Sequence, residues 1–264
     1  MSIDRPNVFS PSSSSTPDFF FDVARGAYGG FFQTLNISGY VENVVAAEVV
    51  VAFQSGFEPY VANPYVSIKS NNAADAAAGG GARTVRIKGV DTSGDYAEEL
   101  VTMNGTSAVT FTNTYRFINE VVVETAGNQY HNVGTLTIEN TPGTESVDIE
   151  PTIGRSQIGA YLVPNGFRMV LMSTAVTVAG ADAKADLSVS LRKYQNIIPG
   201  TPNNYMVYRG VTSVDSSHTD GQFFQSTFPI LFNPGEMAYY TAESSAASNS
   251  IVAVQGYGIL LADS

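Results

Sequence analysis

The sequence predicts an all-β fold, with two β-sandwich (jelly-roll-like) domains in tandem behind an extended N-terminal arm. Three observations carry this prediction. Charged residues make up only 14% of the chain, where about 25% is usual, while Gly, Thr, Ser, Asn, Val, Tyr and Phe are abundant. Short runs of alternating apolar and polar residues recur between Gly, Asn, Asp and Pro punctuation. No stretch carries the 3.6-residue period of a convincing amphipathic helix. A compact chain of 264 residues buries enough surface for a core without crosslinks. With no Cys at all, a disulfide scaffold, a thiolate metal site and a cysteine nucleophile are excluded.

Residues 1–29 read as the arm. Pro6, Pro11 and Pro17 flank the run Ser12 to Ser15, and there is too little apolar content to offset the entropy of ordering. Two readings stand: a disordered tail, or an arm that orders only against a neighbouring subunit. The adjacent aromatics Phe19, Phe20 and Phe21 favour a segment that plugs a groove, on this domain or on a neighbour's.

A first sandwich is expected over 30–145. In Thr84-Val85-Arg86-Ile87-Lys88 the apolar side chains fall on one face and the basic ones on the other, as a half-buried strand requires. Asp91 to Asp95 reads as a hairpin turn and Asn104-Gly105 as the next, with a strand from Glu98 to Met103 between them. Further strands are predicted at 109–113, 116–124 and 135–139. The helix-permissive segment Asn72 to Ala78 runs into Gly79-Gly80-Gly81, so it makes at most a turn or two before a flexible connection.

Pro142-Gly143, clustered acids, Pro151 and Gly154 mark 146–156 as a linker. A second, jelly-roll-like sandwich is expected over 157–264. Its strands are predicted at 160–163, 168–178, 187–192, 206–211, 222–228, 238–242 and 251–261, with turns at Pro164-Asn165-Gly166, at 182–186 and at 197–204. Leu187, Val189 and Leu191 alternate with Ser188, Ser190 and Arg192, a one-sided strand.

Charge and motifs narrow the function. Thirteen basic against 24 acidic residues give a net charge of −11, which opposes nucleic acid as a partner. No apolar run reaches membrane-spanning length and the first ten residues lack a signal peptide's pattern, so a protein made in a cytoplasm is expected. A surface this poor in charge suits contact with other subunits.

The catalytic readings are weak. The two imidazoles, His131 and His218, lie in polar loops, and Ser216, His218 and Asp220 are neighbours in sequence only. Glu98 and Glu99 point to opposite faces of a strand and cannot flank one glycosidic bond. Asp91, Ser93 and Asp95 suggest a cation loop, but Gly94 is misplaced and no closing Glu follows, so a hairpin turn is the simpler reading. The triple glycine lacks the Lys-Ser/Thr and the helix of a phosphate cradle. No catalytic, cofactor or metal residues are expected. Tyr205, Tyr208, Tyr239 and Tyr240 are read as core or interface by default, and alternatively as a surface platform for glycan.

Several of these runs resemble one family. Ala82 to Asp91, Glu98 to Thr106, Phe20 to Gly26, Ala126-Gly127-Asn128 and Asn132-Val133-Gly134 are similar to a module of virion structural proteins of tailed, marine-type bacteriophages. Tyr161 to Gly166 and Phe232 to Glu236 resemble the C-terminal sandwich that accompanies it. The resemblance touches most of 19–261. It implies a non-enzymatic virion component, with no catalytic residues to transfer. A head-surface decoration or fibre-base protein is expected, in contact with its own copies, as a trimer, and with a neighbour such as the major capsid protein. The alternatives are a tail or host-facing glycan-binding protein, a major shell subunit and, last, a polysaccharide-degrading enzyme.

Overall fold

The computed structural model describes residues 31–52, 63–141, 143, 146–179, 185–195, 203–214, 222–226, 229–245 and 250–262. Every regular element among them is a β-strand, and all the strand pairings are antiparallel.

Ten strands build a sandwich of two sheets. One sheet runs β1 (Phe31–Val44), β16 (Ser250–Ala262), β10 (Phe167–Ala179), β13 (Gln222–Ser226), with β14 (Ile230–Phe232) also on β10. The other runs β12 (Asn203–Val214), β11 (Ala185–Gln195), β15 (Glu236–Ser244), β2 (Val49–Val50), with β9 (Ala160–Leu162) also on β15. Leaving aside the short β9 and β14, the eight principal strands follow the order 1-8-3-6 in one sheet and 5-4-7-2 in the other, which is the double Greek key of a jelly roll. Its core lies between the sheets. Leu35, Ile37, Met169, Leu171, Val176 and Val254 from the first sheet meet Leu187, Val189, Leu191, Tyr240 and Ala242 from the second.

Between β2 and β9 the chain leaves the jelly roll and builds a six-stranded sheet. Its order is β5 (Tyr96–Thr102), β4 (Ala82–Asp91), β6 (Val109–Ala126), β3 (Tyr65–Ser70), β7 (Leu136–Asn140), β8 (Ser146–Ile149). β6 lets this sheet curl. Its first residues pair with β3, and from Tyr115 onward it pairs with β4 through a series of register shifts. The curl encloses Ile68, Val85, Ile87, Phe117, Val121, Leu136, Ile138 and Ile149.

Strand pairing groups the chain differently from the expected split at 30–145, 146–156 and 157–264. β1 lies against β16 over most of its length, and β2 against β15, so residues 31–52 complete the C-terminal jelly roll. Linear spacing carries no information about such a non-local return. Part of the expected linker, Ser146–Ile149, is strand β8 on the edge of the curled sheet, burying Val147 and Ile149. The predicted pair of strands at 109–113 and 116–124 is the single bent strand β6.

Where β1 passes beneath the start of the jelly roll, backbones touch. A Cβ on Gly39 would lie 2.2 Å from the Val51 carbonyl oxygen, and one on Gly159 would lie 2.1 Å from the same atom. Glycine is required at both positions to let three segments cross.

Candidate functional site

Tyr239 and Tyr240 do not form a surface platform. They are 3% and 1% exposed, with Tyr239 in the core of the curled sheet and Tyr240 in the jelly-roll core. Tyr240 shares a 2.7 Å hydroxyl contact with Thr174, and burial holds its phenol well above the usual range. Successive residues on a strand buried on both faces must both be core. Tyr205 and Tyr208 lie on β12, with their side chains outside the described residues. The arm residues Pro11, Pro17, Phe19, Phe20 and Phe21, and His218 with its loop, are also outside them.

The remaining candidates resolve into structural roles. Nδ1 of His131 donates to the carbonyl of Asn132 at 2.8 Å, so the ring is tied to a loop backbone. Glu98 pairs with Arg86 and accepts from Tyr96 at 2.6 Å. Partial burial raises its pKa, but these bonds outweigh that and hold the carboxyl below its usual range. Glu99 points away and accepts from the backbone N–H groups of Thr112 and Asn113. Asp91 accepts from the N–H groups of Ser93 and Asp95, the local bonding of a turn. Asp95 and the Ser93 carbonyl receive Asn165, so this turn docks on the turn at Pro164-Asn165-Gly166. Among the described residues no group of His, Asp and Glu side chains has metal-site geometry.

The triple glycine is not a flexible connection. It wraps the fully buried Asp75, whose Oδ1 accepts from the N–H groups of Ala82 and Val133 and whose Oδ2 accepts from Ser70 Oγ and Gly134 N–H. A Cβ on Gly81 would lie 2.1 Å from Asp75 Oδ1. Composition cannot reveal this knot, because most of its partners are backbone groups and two of them, Val133 and Gly134, are distant in sequence.

The surface with the clearest capacity for contact is the exposed side of the strand β12. β12 is an edge strand of 12 residues with one charged side chain, Arg209. Natural edges are usually guarded by charge, bulges or brevity; β12 has one register shift, at Val207, but neither brevity nor more than one charge. Arg209 and Val211 alternate along one face, with Val211 58% accessible, and Met206 and Val207 are exposed at the register shift that precedes them. Inward from the edge Ser188, Ser190 and Thr241 are buried, so the open part of this face is the strand β12 itself. The charges on this face satisfy each other: Arg192 makes two 2.6 Å bonds to Glu48, which also accepts from Thr241, while Arg209 bonds Ser188 and pairs with Glu243. Paired charges cost less to cover than free ones, so the face suits a protein partner better than a charged ligand.

No protein-family model matches the chain, and no curated protein matches it. Among solved structures it is similar to the stem and receptor binding domain of the spike protein P1 from bacteriophage PM2, at 10% identity, covering 86% of this chain and 97% of that one, with a TM-score of 0.18. A second likeness is to infectious bursal disease virus, Gt strain, at 10% identity, covering 88% and 82%, with a TM-score of 0.14. Superpositions this poor carry no argument, and the fold assignment rests on the strand order itself.

Proposed function

We propose that the chain is a non-enzymatic structural protein of a virion, assembling through its own copies and seated on a neighbouring protein such as a major capsid protein. The observation that carries this reading is the long, nearly uncharged edge of β12, with Met206, Val207 and Val211 exposed along it and the neighbouring charges already paired. Jelly rolls serve as capsid and lectin domains alike, so the fold is compatible with the reading without selecting it. The resemblance of Ala82 to Asp91 and Glu98 to Thr106 to phage virion modules favours the virion. The absence of Cys lets the particle persist without redox dependence.

Within that class, a head-surface decoration or fibre-base protein is our first choice, with a closed trimer as its unit. Closed rings of identical contacts gain strength from effective concentration without large individual interfaces. The N-terminal segment with Pro11, Pro17 and Phe19 to Phe21 is the proposed link to a neighbour. Light scattering on the full chain tests the unit: a mass three times that of the 28.0 kDa chain supports the trimer, and a monomer mass at every concentration overturns it.

A further inference from the structure

A groove of about 420 Å³ runs between the jelly roll and the outer face of the curled sheet, and its walls are built by strands other than β12. That volume is in the range of small-ligand clefts, about 300–1,000 Å³. Its walls include Gln33 and Asn36 from β1, Lys88 from β4, Glu120 from β6, Tyr161 from β9 and Tyr257 from β16.

Tyr161 is the observation that points to a ligand. Its side chain is 95% buried and reaches the groove, yet its hydroxyl finds no hydrogen-bond partner in the protein, although Gln33 and Asn119 lie alongside. Buried hydroxyls are ordinarily satisfied, so an orphan facing a cleft is a vacant donor and acceptor. Burial also keeps this phenol protonated. The surroundings are fixed. Asn119 exchanges two bonds with the Leu162 backbone, which ties β6 to β9 at the floor. Glu120 holds Lys88 at 3.1 Å and also pairs with Arg155. At the rim Tyr257 is 45% exposed, and its hydroxyl is anchored on Gln255.

The chemistry of these walls selects among ligands. Amide side chains and a free phenol both donate and accept, as a polyhydroxylated molecule requires, while an exposed aromatic ring offers an apolar face to sugar C–H groups. An apolar ligand would leave the amide and charged groups of these walls without partners. Anions meet a lysine already paired with a carboxylate, on a chain of net charge −11.

We infer that this groove binds a short uncharged oligosaccharide, with Tyr257 packing on a sugar face and Gln33, Asn36 and Tyr161 bonding its hydroxyls. The activity goes beyond the architectural reading and stands or fails separately from it, because each protomer carries the whole groove.

The test is saturation-transfer NMR and calorimetry on the full chain with uncharged trisaccharides of glucose, galactose, mannose and N-acetylglucosamine, and with trigalacturonate as the charged arm. Saturable binding of at least one uncharged sugar is expected, with a dissociation constant in the millimolar range or tighter. Tyr257→Ala and Asn36→Ala should each weaken it about tenfold, the loss of one good contact. Tyr161→Phe should weaken it by a factor of about five while the protein stays folded, since only an unpartnered oxygen is removed. No uncharged sugar binding at about 10 mM, binding of trigalacturonate alone, or affinity indifferent to all three substitutions would overturn the inference.

Discussion

Asp75 shows how much a single residue can organise. Its carboxylate accepts four hydrogen bonds, from Ser70, Ala82, Val133 and Gly134, and so joins the loop after β3, the start of β4 and the loop before β7. Bonds to a charged acceptor contribute about 1.5–3 kcal/mol each, and a buried donor left unpaired costs about 1–3 kcal/mol. Asp75→Ala strands four donors at once. A loss of more than about 3 kcal/mol is expected in denaturant unfolding, among the larger effects of single substitutions. Asp148 illustrates the opposite sign. Burial raises its pKa and its Oδ1 has no partner, so its charged form is unfavourable in the folded chain. A raised native pKa stabilises below the unfolded value and withdraws that stability as pH rises through the native one. Asp148→Asn should therefore melt higher than the parent at pH 7, and the gap should close as pH falls below about 4. Neither residue announces this in the sequence. Asp75 looks like a polar loop residue beside a triple glycine, because three of its four partners are backbone N–H groups, up to 59 positions away.

At the scale of elements, alternation reads well where one face of a strand is buried. Val85 and Ile87 are inside while Arg86 and Lys88 form ion pairs outside, as the period of two requires. Leu187, Val189 and Leu191 face the jelly-roll core in the same way. Alternation fails where both faces are covered, as on β15, so two core tyrosines there resemble a candidate platform. It also cannot find β8, whose four residues sit between Pro and Gly signals that imitate a linker. The groove is legible in part. Tyr257 and Asn36 oppose each other across β1 and β16, a pairing between the two ends of the described chain that no local pattern encodes. Exposed edges are invisible for the same reason. The β12 prediction belongs to this scale: Val207→Lys with Val211→Lys guards the edge with charge, as natural sheets do. Both sites are exposed, so the melting temperature should stay within a few degrees of the parent's while self-association is lost.

The whole molecule is a jelly roll interrupted after its second strand. The curled sheet does not hang from it as a separate bead. Ile158, Ala160 and Leu162 around β9, with Met237 and Tyr239 on β15, belong to the core of the curled sheet while their strands belong to the jelly roll. Phe32, Tyr96 and Phe167 form a second junction, with ring centroids 4.8–6.1 Å apart. Shared apolar cores couple folding units, so calorimetry should show one unfolding transition with the van't Hoff and calorimetric enthalpies in agreement. Two resolved transitions would mean that these contacts are too weak to couple the halves. The composition foretold such a molecule in outline, all strand and poor in charge, but only the pairing of β1 with β16 shows which residues belong together. Its purpose, on this account, is to present the β12 edge to other copies. Sedimentation velocity of the full chain over a wide concentration series, beside the Val207→Lys, Val211→Lys double variant, tests that most directly. The account predicts a discrete oligomer for the parent and a folded monomer for the variant, and a parent that stays monomeric throughout would contradict it.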